Sequence, residues 1–376
     1  MSGPYVADLP ASADVVVVGA GFAGAATAWA LAEAGVSDVL LLEAEDQPGT
    51  HSSGLNASMV RQLVPDQVLY SVLRSSALEL GTFPEIFRAT GSLLLLKGGA
   101  EGQGVAQAAA FAVTRGHCCR ILGPKEAASL VPVLGTVAFD QAIATPDDGV
   151  VDIHGLLWQY LRAAMARGAR LAVGCRVSAI EVRGGAVAAA VTTRGRVATR
   201  VLVNAAGAWA NQVAASAGLE PLPMVPYRRH LLLTPPLAFV DPTWPFVWHA
   251  DASFYFRPEQ GGLLLSACDQ DPVLPGPAQR DEAILEVLAD RLARHAPALS
   301  GVAIKHFWAG LRTIAADGRF VLGPDPRLQG FYWAGALGGH GMTGSAAAGR
   351  MVAASIMGKP VMPELAPGRF LGANGG

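Results

Sequence analysis

Four consecutive valines, Val15 to Val18, run directly into Gly19-Ala20-Gly21-Phe22-Ala23-Gly24 and then into an alanine-rich stretch that ends near Ala34. A short β-branched run, a G-x-G-x-x-G turn and a helix-forming segment leave little choice of local structure: strand, tight turn, helix. Gly35 stands where a helix-terminating glycine belongs, and "DVLLLE" from Asp38 to Glu43 reads as a second buried strand. The unit is a βαβ crossover of about thirty residues. Gly19 permits the turn, Gly21 lets a pyrophosphate lie against the backbone at the positive helix end, and Gly24 lets helix and strand pack closely. Glu43 ends the second strand, where its carboxylate can accept hydrogen bonds from a ribose and repel a 2′-phosphate, so the pattern predicts FAD or NAD and not NADP. A cofactor-free βαβ unit is the competing reading.

The chain has 376 residues, more than one core usually supports, so one large layered domain or two domains are expected. Apolar residues make up 51% and charged residues 15%, ample for buried cores and against disorder. A net charge of -2 gives no basic footprint for nucleic acid. Cys118, Cys119, Cys175 and Cys268 show no C-x-x-C spacing, which fits a reduced, cytoplasmic chain with incidental thiols better than a redox pair or a metal site. The uncharged run from Val15 to Ala32 is long enough to imitate a membrane span, but its glycine motif argues against one. The first basic residue is Arg61, so a signal peptide is not expected.

Further along, Ile153 to Arg167 is predicted as a helix stopped by Gly168, followed by short β-rich runs. Proline-rich segments at 221–226, 235–245 and 272–277 point to an antiparallel sheet with irregular connections, then a helix near 281–295. Near the end, "GFYWAGALGGHGMTGSAAAGRMVAASIM" repeats the strand, glycine loop and helix order. No tandem repeat is present, so domains interleaved along the chain are expected.

The segments "VVVVGAGFAGAATAWALAEAG", "PGTHSSGLNAS", "LVNAAGAWA", "FWAGLRTIAADGRFVLGP" and "FYWAGALGGHGMTGSAAAG" together resemble the D-amino-acid oxidase superfamily of flavoenzymes, in order over nearly the whole chain. Within that group "HSSG", "SFYFRP" and "HFWAGLRTIAADG" look most like bacterial D-arginine dehydrogenase. The resemblance implies an α/β protein: a Rossmann-like FAD-binding domain (1–85, 145–215 and 308–376) and an interleaved α+β substrate domain (86–144 and 216–307) on a mixed, largely antiparallel sheet. It implies that FAD meets Gly19, Gly21, Phe22, Ala23, Gly24, Glu43 and Ala44, then His51, Ser52, Ser53, Asn56 and Ala57. Val177, Ala206, Gly207, Trp209 and Gly310 follow, and the flavin ring would lie by Gly338, Gly339, His340, Gly341, Met342 and Thr343. Backbone N–H groups at the start of that last helix would stabilise negative charge on the reduced flavin. A histidine placed like His51 carries covalent flavin in dimethylglycine and sarcosine dehydrogenases, but "HSSG" follows the relatives with non-covalent FAD.

The implied reaction is hydride transfer from an amino acid to flavin N5, giving an imine and then an oxo acid and ammonia. Arg312 matches the carboxylate-binding position, Arg228 or Arg229 would supply a second cation, and Tyr255 a hydroxyl. The amine would meet backbone around Gly339 and His340, and His340 could assist as a group titrating near neutrality or serve structure only. Where D-arginine dehydrogenase has an acidic residue for the guanidinium, this chain has Ser92 or Leu93, and a lid tyrosine gives way near Val64. A D-amino acid with a neutral or hydrophobic side chain is therefore expected, with an N-substituted amino acid or a 2-hydroxy acid as alternatives, and a non-catalytic FAD-binding subunit as a further reading. Leu264 stands near the place where sarcosine oxidases carry a lysine that promotes reaction with oxygen. A quinone or other carrier is thus expected as acceptor ahead of oxygen, with the protein cytoplasmic or peripheral at a membrane.

Overall fold

A computed structural model of the chain describes residues 5–372. The valine run forms β1 (Val15–Val18), the alanine-rich stretch α1 (Phe22–Glu33), and the leucine run β2 (Val39–Leu42). All eight residues of the two strands are buried, as expected for parallel strands covered on both faces. Val15, Val17 and Leu41 point to one core, while Val16, Val18, Leu40 and Leu42 point to another on the far side of the sheet. Each such side chain contributes roughly 1.5–3 kcal/mol by leaving water.

The sheet has six strands in the order Val321–Pro324, Phe331–Gly335, Val201–Asn204, β1, β2 and Arg170–Ala172. All neighbours are parallel except the Val321–Pro324 edge. Against one face pack α1, the helix Ile153–Met165 and the C-terminal helix Gly341–Ile356, with Trp29 and Tyr160 rings 5.0 Å apart. The apolar run from Val15 to Ala32 is thus a strand and part of a twelve-residue helix, and among the described residues no helix is long and apolar enough to cross a membrane.

The excursions between these strands build a nine-stranded sheet in which a single pair, Phe246–His249 with Ser92–Leu96, is parallel. This is the mixed, largely antiparallel sheet expected. Its alternation is strict at the centre. Leu93, Val247, Phe254, Phe256, Leu263 and Leu265 face a core capped by the helix Ala283–His295, while Leu231, Tyr255 and Leu264 face the opposite way, toward Ala57 and Met59. The strand His306–Ala315 pairs over ten positions with Met224–Leu233. The boundary expected at 308 therefore falls inside a strand of the large sheet. Two small sheets complete the fold; one, formed by Met59–Val60, Gly149–Val151 and Phe87–Arg88, delivers Arg61 to the interface between the two large sheets.

Candidate active site

A cavity of about 850 Å³ lies between the two sheets, within the range of small-molecule and cofactor sites. Of the residues expected at cofactor or substrate, all line it except Gly24 and Arg228. Gly24 acts one layer back: a Cβ there would stand 1.9 Å from the Gly19 carbonyl oxygen, so only glycine lets α1 start against the turn. Gly19 itself has φ +99.

Two helix starts open on the cavity. The N-cap of α1 is Gly21 and that of the C-terminal helix is His340; neither offers a side-chain cap, and neither helix has an acidic residue in its first turn. Neither helix start is capped by its own N-cap side chain, which leaves leading N–H groups for other partners. At the first, Ser53 Oγ accepts from Phe22 N at 2.9 Å. Glu43 is buried and accepts from Ala20 N (2.8 Å) and Glu45 N (3.0 Å), which fixes its carboxylate at the lip of the turn. Asn56 lines the cavity and also holds its own loop: it donates to the Ser53 carbonyl and accepts from Ser58 N, each at 2.7 Å. Gly310 lets that loop lie against the large sheet, since a Cβ there would stand 2.6 Å from the Leu55 carbonyl oxygen. His51 packs on Trp209 with ring centroids 4.6 Å apart, and its Nε2 lies 3.1 Å from Glu45 Oε1. Two anion-ready helix starts joined by one elongated set of loops fit a dinucleotide with its pyrophosphate at one and the flavin at the other.

Beyond the C-terminal helix start the lining turns cationic. Arg229 lies opposite Gly310 and Arg312 opposite Tyr227 in the paired strands, so Arg229, Leu231, Gly310 and Arg312 share a face. Arg228 faces away and pairs with Asp271 (3.2 Å) and Asp281 (3.1 Å). Of the two arginines considered from sequence, only Arg229 reaches the cavity. Its Nε donates to the Asp269 carbonyl at 2.6 Å, with Asp269 Oδ1 at 3.8 Å. Arg312 donates to Gln270 Oε1 at 3.1 Å, while its buried Nε has no partner. Burial, followed by the nearby Arg229 charge, pulls the Arg312 guanidinium down to about 10. Tyr255 is buried beside Trp248, centroids 4.9 Å apart, and burial pushes its phenol up.

Arg61 was not expected here. Its guanidinium lies 4.1 Å above the Trp248 ring, its Nη2 is 3.5 Å from His340 Nε2, and its buried Nε has no partner. Trp248 and Gln270 also line the cavity without a sequence signal of their own. His340 departs from the near-neutral titration considered for it: burial, then the charges of Arg61 and Arg312, push it down to about 3. It is a neutral imidazole, and because a guanidinium can only donate, the hydrogen-bond network assigns the lone pair to Nε2 and the proton to Nδ1. Ser92 and Leu93 do not line the cavity: Ser92 Oγ donates to Asp148 Oδ2 at 2.6 Å and Leu93 faces the core under the large sheet. Leu264 does not line the cavity but packs against Leu231 and Tyr255, which do, and Val64 is also part of the wall. The four cysteines are free, and among the described residues no group of metal-ligating side chains forms.

Two sheets enclosing a dinucleotide cavity whose far part is cationic define a flavin-dependent oxidoreductase. The family described as FAD dependent oxidoreductase matches residues 14–355, and the chain belongs to it. The chain is similar to mitochondrial sarcosine dehydrogenase of Mus musculus, 28% identical over 86% of this chain and 37% of that protein. It is also similar to the mitochondrial pyruvate dehydrogenase phosphatase regulatory subunit of Mus musculus, 25% identical over 92% of this chain and 41% of that protein. The chain thus spans about two fifths of the length of these relatives. Among solved structures, L-proline dehydrogenase from P. horikoshii superposes with a TM-score of 0.88 at 25% identity, covering 96% of this chain and 99% of that one.

Proposed function

We propose that this chain oxidises an amino acid at a C–H next to its nitrogen, with a secondary, N-substituted amine as the substrate type. The observation that carries the reading is the pair Arg312 and Arg229, two guanidiniums on one face of paired strands, beside the start of the C-terminal helix and, among the described residues, with no carboxylate hydrogen-bonded to Arg312. A planar fork of donors holds a carboxylate bidentately, and the site fixes it close to the flavin part of the cavity. Bound FAD supplies the acceptor for a hydride. Arg312 and Arg229 orient the substrate, Tyr255 adds a hydroxyl, and the apolar faces of Trp248 and Leu231 exclude water. The Arg61 and Arg312 charges that keep His340 neutral also disfavour an ammonium beside it, so the amine binds as the free base with its lone pair intact. As hydride leaves carbon, that lone pair becomes the C=N bond, and water splits the iminium into a carbonyl compound and an amine.

The acidic residues lining the cavity are Glu43, Glu45 and Asp66 among those described, and each is engaged away from the arginines: with the turn, with His51, and with the helix at Leu69. A cationic side chain such as that of D-arginine has no partner there. The names of similar proteins, sarcosine and L-proline dehydrogenases, support secondary amines over the D-amino acid with a neutral side chain first expected. FAD is bound non-covalently, and acid should release it from the protein; colour retained in the precipitate would refute this. A quinone or other carrier accepts the electrons ahead of oxygen. Anaerobic mixing of holoenzyme with D-, L- and N-methyl amino acids tests the function: bleaching of the flavin by at least one class is expected, and no bleaching by any would overturn it in favour of a non-catalytic subunit.

A further inference from the structure

Three guanidiniums meet in the substrate part of the cavity, one more than an α-carboxylate requires. Arg312 and Arg229 come from the large sheet; Arg61 comes from a different element, directly after the strand Met59–Val60. Its guanidinium carbon stands 4.1 Å from the centre of the Trp248 ring, and among the described residues its one hydrogen-bond partner is the neutral His340 imidazole at 3.5 Å. Its Nε and that of Arg312 are both buried without a partner. Arg312 flanks the same loop, since a Cβ added at Gly339 would stand 3.1 Å from its Nη1. The two cations therefore stand about the Gly339–His340 pair and not on one another's ligand.

The anions in reach do not balance this set. Asp269 lies 3.8 Å from Arg229, but its carboxylate already accepts from His230 N (2.9 Å) and meets His230 Nδ1 (2.8 Å). Asp148 lies behind Arg61, held by Gln62 N (3.1 Å), Gln62 Nε2 (3.0 Å) and Ser92 Oγ (2.6 Å), with no hydrogen bond to Arg61. One carboxylate on the substrate answers Arg312 and Arg229. Arg61, over the Trp248 ring and without a carboxylate hydrogen bond, keeps N–H groups for a second anion.

We infer that the substrate is a dicarboxylic amino or imino acid, one carboxylate held by Arg312 and Arg229 and the other by Arg61. This rests on the reading of the site as an amino-acid-oxidising one, but the binding geometry can be tested apart from turnover. Diglycolate is the unreactive ether counterpart of iminodiacetate, and methoxyacetate that of sarcosine. Titration of the holoenzyme with each, followed by the shift of the flavin absorbance, should give diglycolate an affinity at least about 30-fold higher, in the range of a buried charge-paired contact. Diglycolate monoamide should behave like methoxyacetate, and Arg61→Gln should bring the ratio below about 3. Equal binding of the two acids by the unaltered enzyme overturns the inference, as does a ratio that persists in Arg61→Gln or survives in the monoamide. Anaerobic reduction by iminodiacetate and sarcosine separates the two claims. If both bleach the flavin equally and the ethers bind equally, the second carboxylate site is wrong and the oxidation stands. If neither these amines nor any of the D-, L- and N-methyl amino acids bleaches the flavin while diglycolate still binds more tightly, the oxidation is wrong and the two-anion pocket stands.

Discussion

Replacing Arg312 by methionine should make the ligand-free protein more stable while nearly abolishing its activity. The guanidinium is buried beside Arg229, its Nε is unpartnered, and its one hydrogen bond goes to Gln270. A fall from the ordinary arginine range to about 10, caused first by burial and then by Arg229, corresponds to about 3 kcal/mol against this cation at roughly 1.4 kcal/mol per tenfold. Loss of the Gln270 hydrogen bond returns about 1 kcal/mol. Methionine, of similar length and uncharged, should therefore stabilise by about 1–3 kcal/mol, as replacement of buried ionic groups by apolar ones often does. At about 2 °C per kcal/mol for a chain of this size, that is a rise in Tm of roughly 2–6 °C by differential scanning calorimetry of the holoenzyme without substrate. In the same variant the substrate carboxylate loses a buried charge partner, at about 2–5 kcal/mol, so kcat/KM should fall from about 30-fold to several thousand-fold. A lowered Tm together with an unchanged kcat/KM would show that Arg312 braces the fold and does not hold substrate.

Glu43→Gln puts an amide NH2 against either Ala20 N or Glu45 N, two donors that need acceptors; FAD affinity should fall about 10- to 100-fold, read as fluorescent FAD released on dilution. Arg228→Gln removes only partly exposed pairings with Asp271 and Asp281, so Tm should change by less than about 1 kcal/mol equivalent and kcat/KM by less than twofold; a larger kinetic loss would return Arg228 to the site. His340 has a folded value of about 3, below the ordinary 6.5, so the unfolded chain takes up its proton first and stability is lost as pH falls from 6.5 toward 3; His340→Asn should flatten that part of a Tm–pH curve. Asp148 has the opposite sign, since burial raises it from 3.8 to about 6 and its contribution is lost as pH rises through that window; Asp148→Asn should raise Tm at pH 8 and leave pH 4 nearly unchanged.

The first half of the cofactor site was legible because its signals are local. Four buried valines, a turn with φ +99 at Gly19 and a carboxylate at the end of the next strand are each demanded by neighbours in sequence, so their meaning does not depend on distant contacts. The C-terminal glycine loop was legible for the same reason. Arg228 was misplaced because the residue type was right for the role but its direction was set elsewhere, and the loop-bracing role of Asn56 went unread. Asn56 serves the loop's own backbone, and Arg228 is turned outward by register. That register held the answer to the Arg228–Arg229 choice: with Arg312 inward, period-two alternation across antiparallel neighbours leaves Arg229, opposite Gly310, as the inward one. The sequence alone could not supply which residue pairs with which.

Arg61 was hidden by a different cause. It follows a two-residue strand, carries no motif, and owes its position to a small sheet whose three strands lie far apart in the chain. Yet it completes the electrostatic plan of the cavity. Pyrophosphate, reduced flavin and carboxylate are all anionic, and the protein meets them with two helix starts that lack an acidic first turn and with three guanidiniums in the substrate part of the cavity, in a chain whose overall charge is -2. Holding these cations in the ligand-free cavity costs stability, since burial above all, with neighbouring guanidinium charges adding to it, lowers Arg61, Arg312 and His340. Ligands of matching charge remove that cost on binding. Cofactor and substrate should therefore each raise Tm more than their contact area alone suggests, and their stabilisation should weaken as salt screens the site from outside.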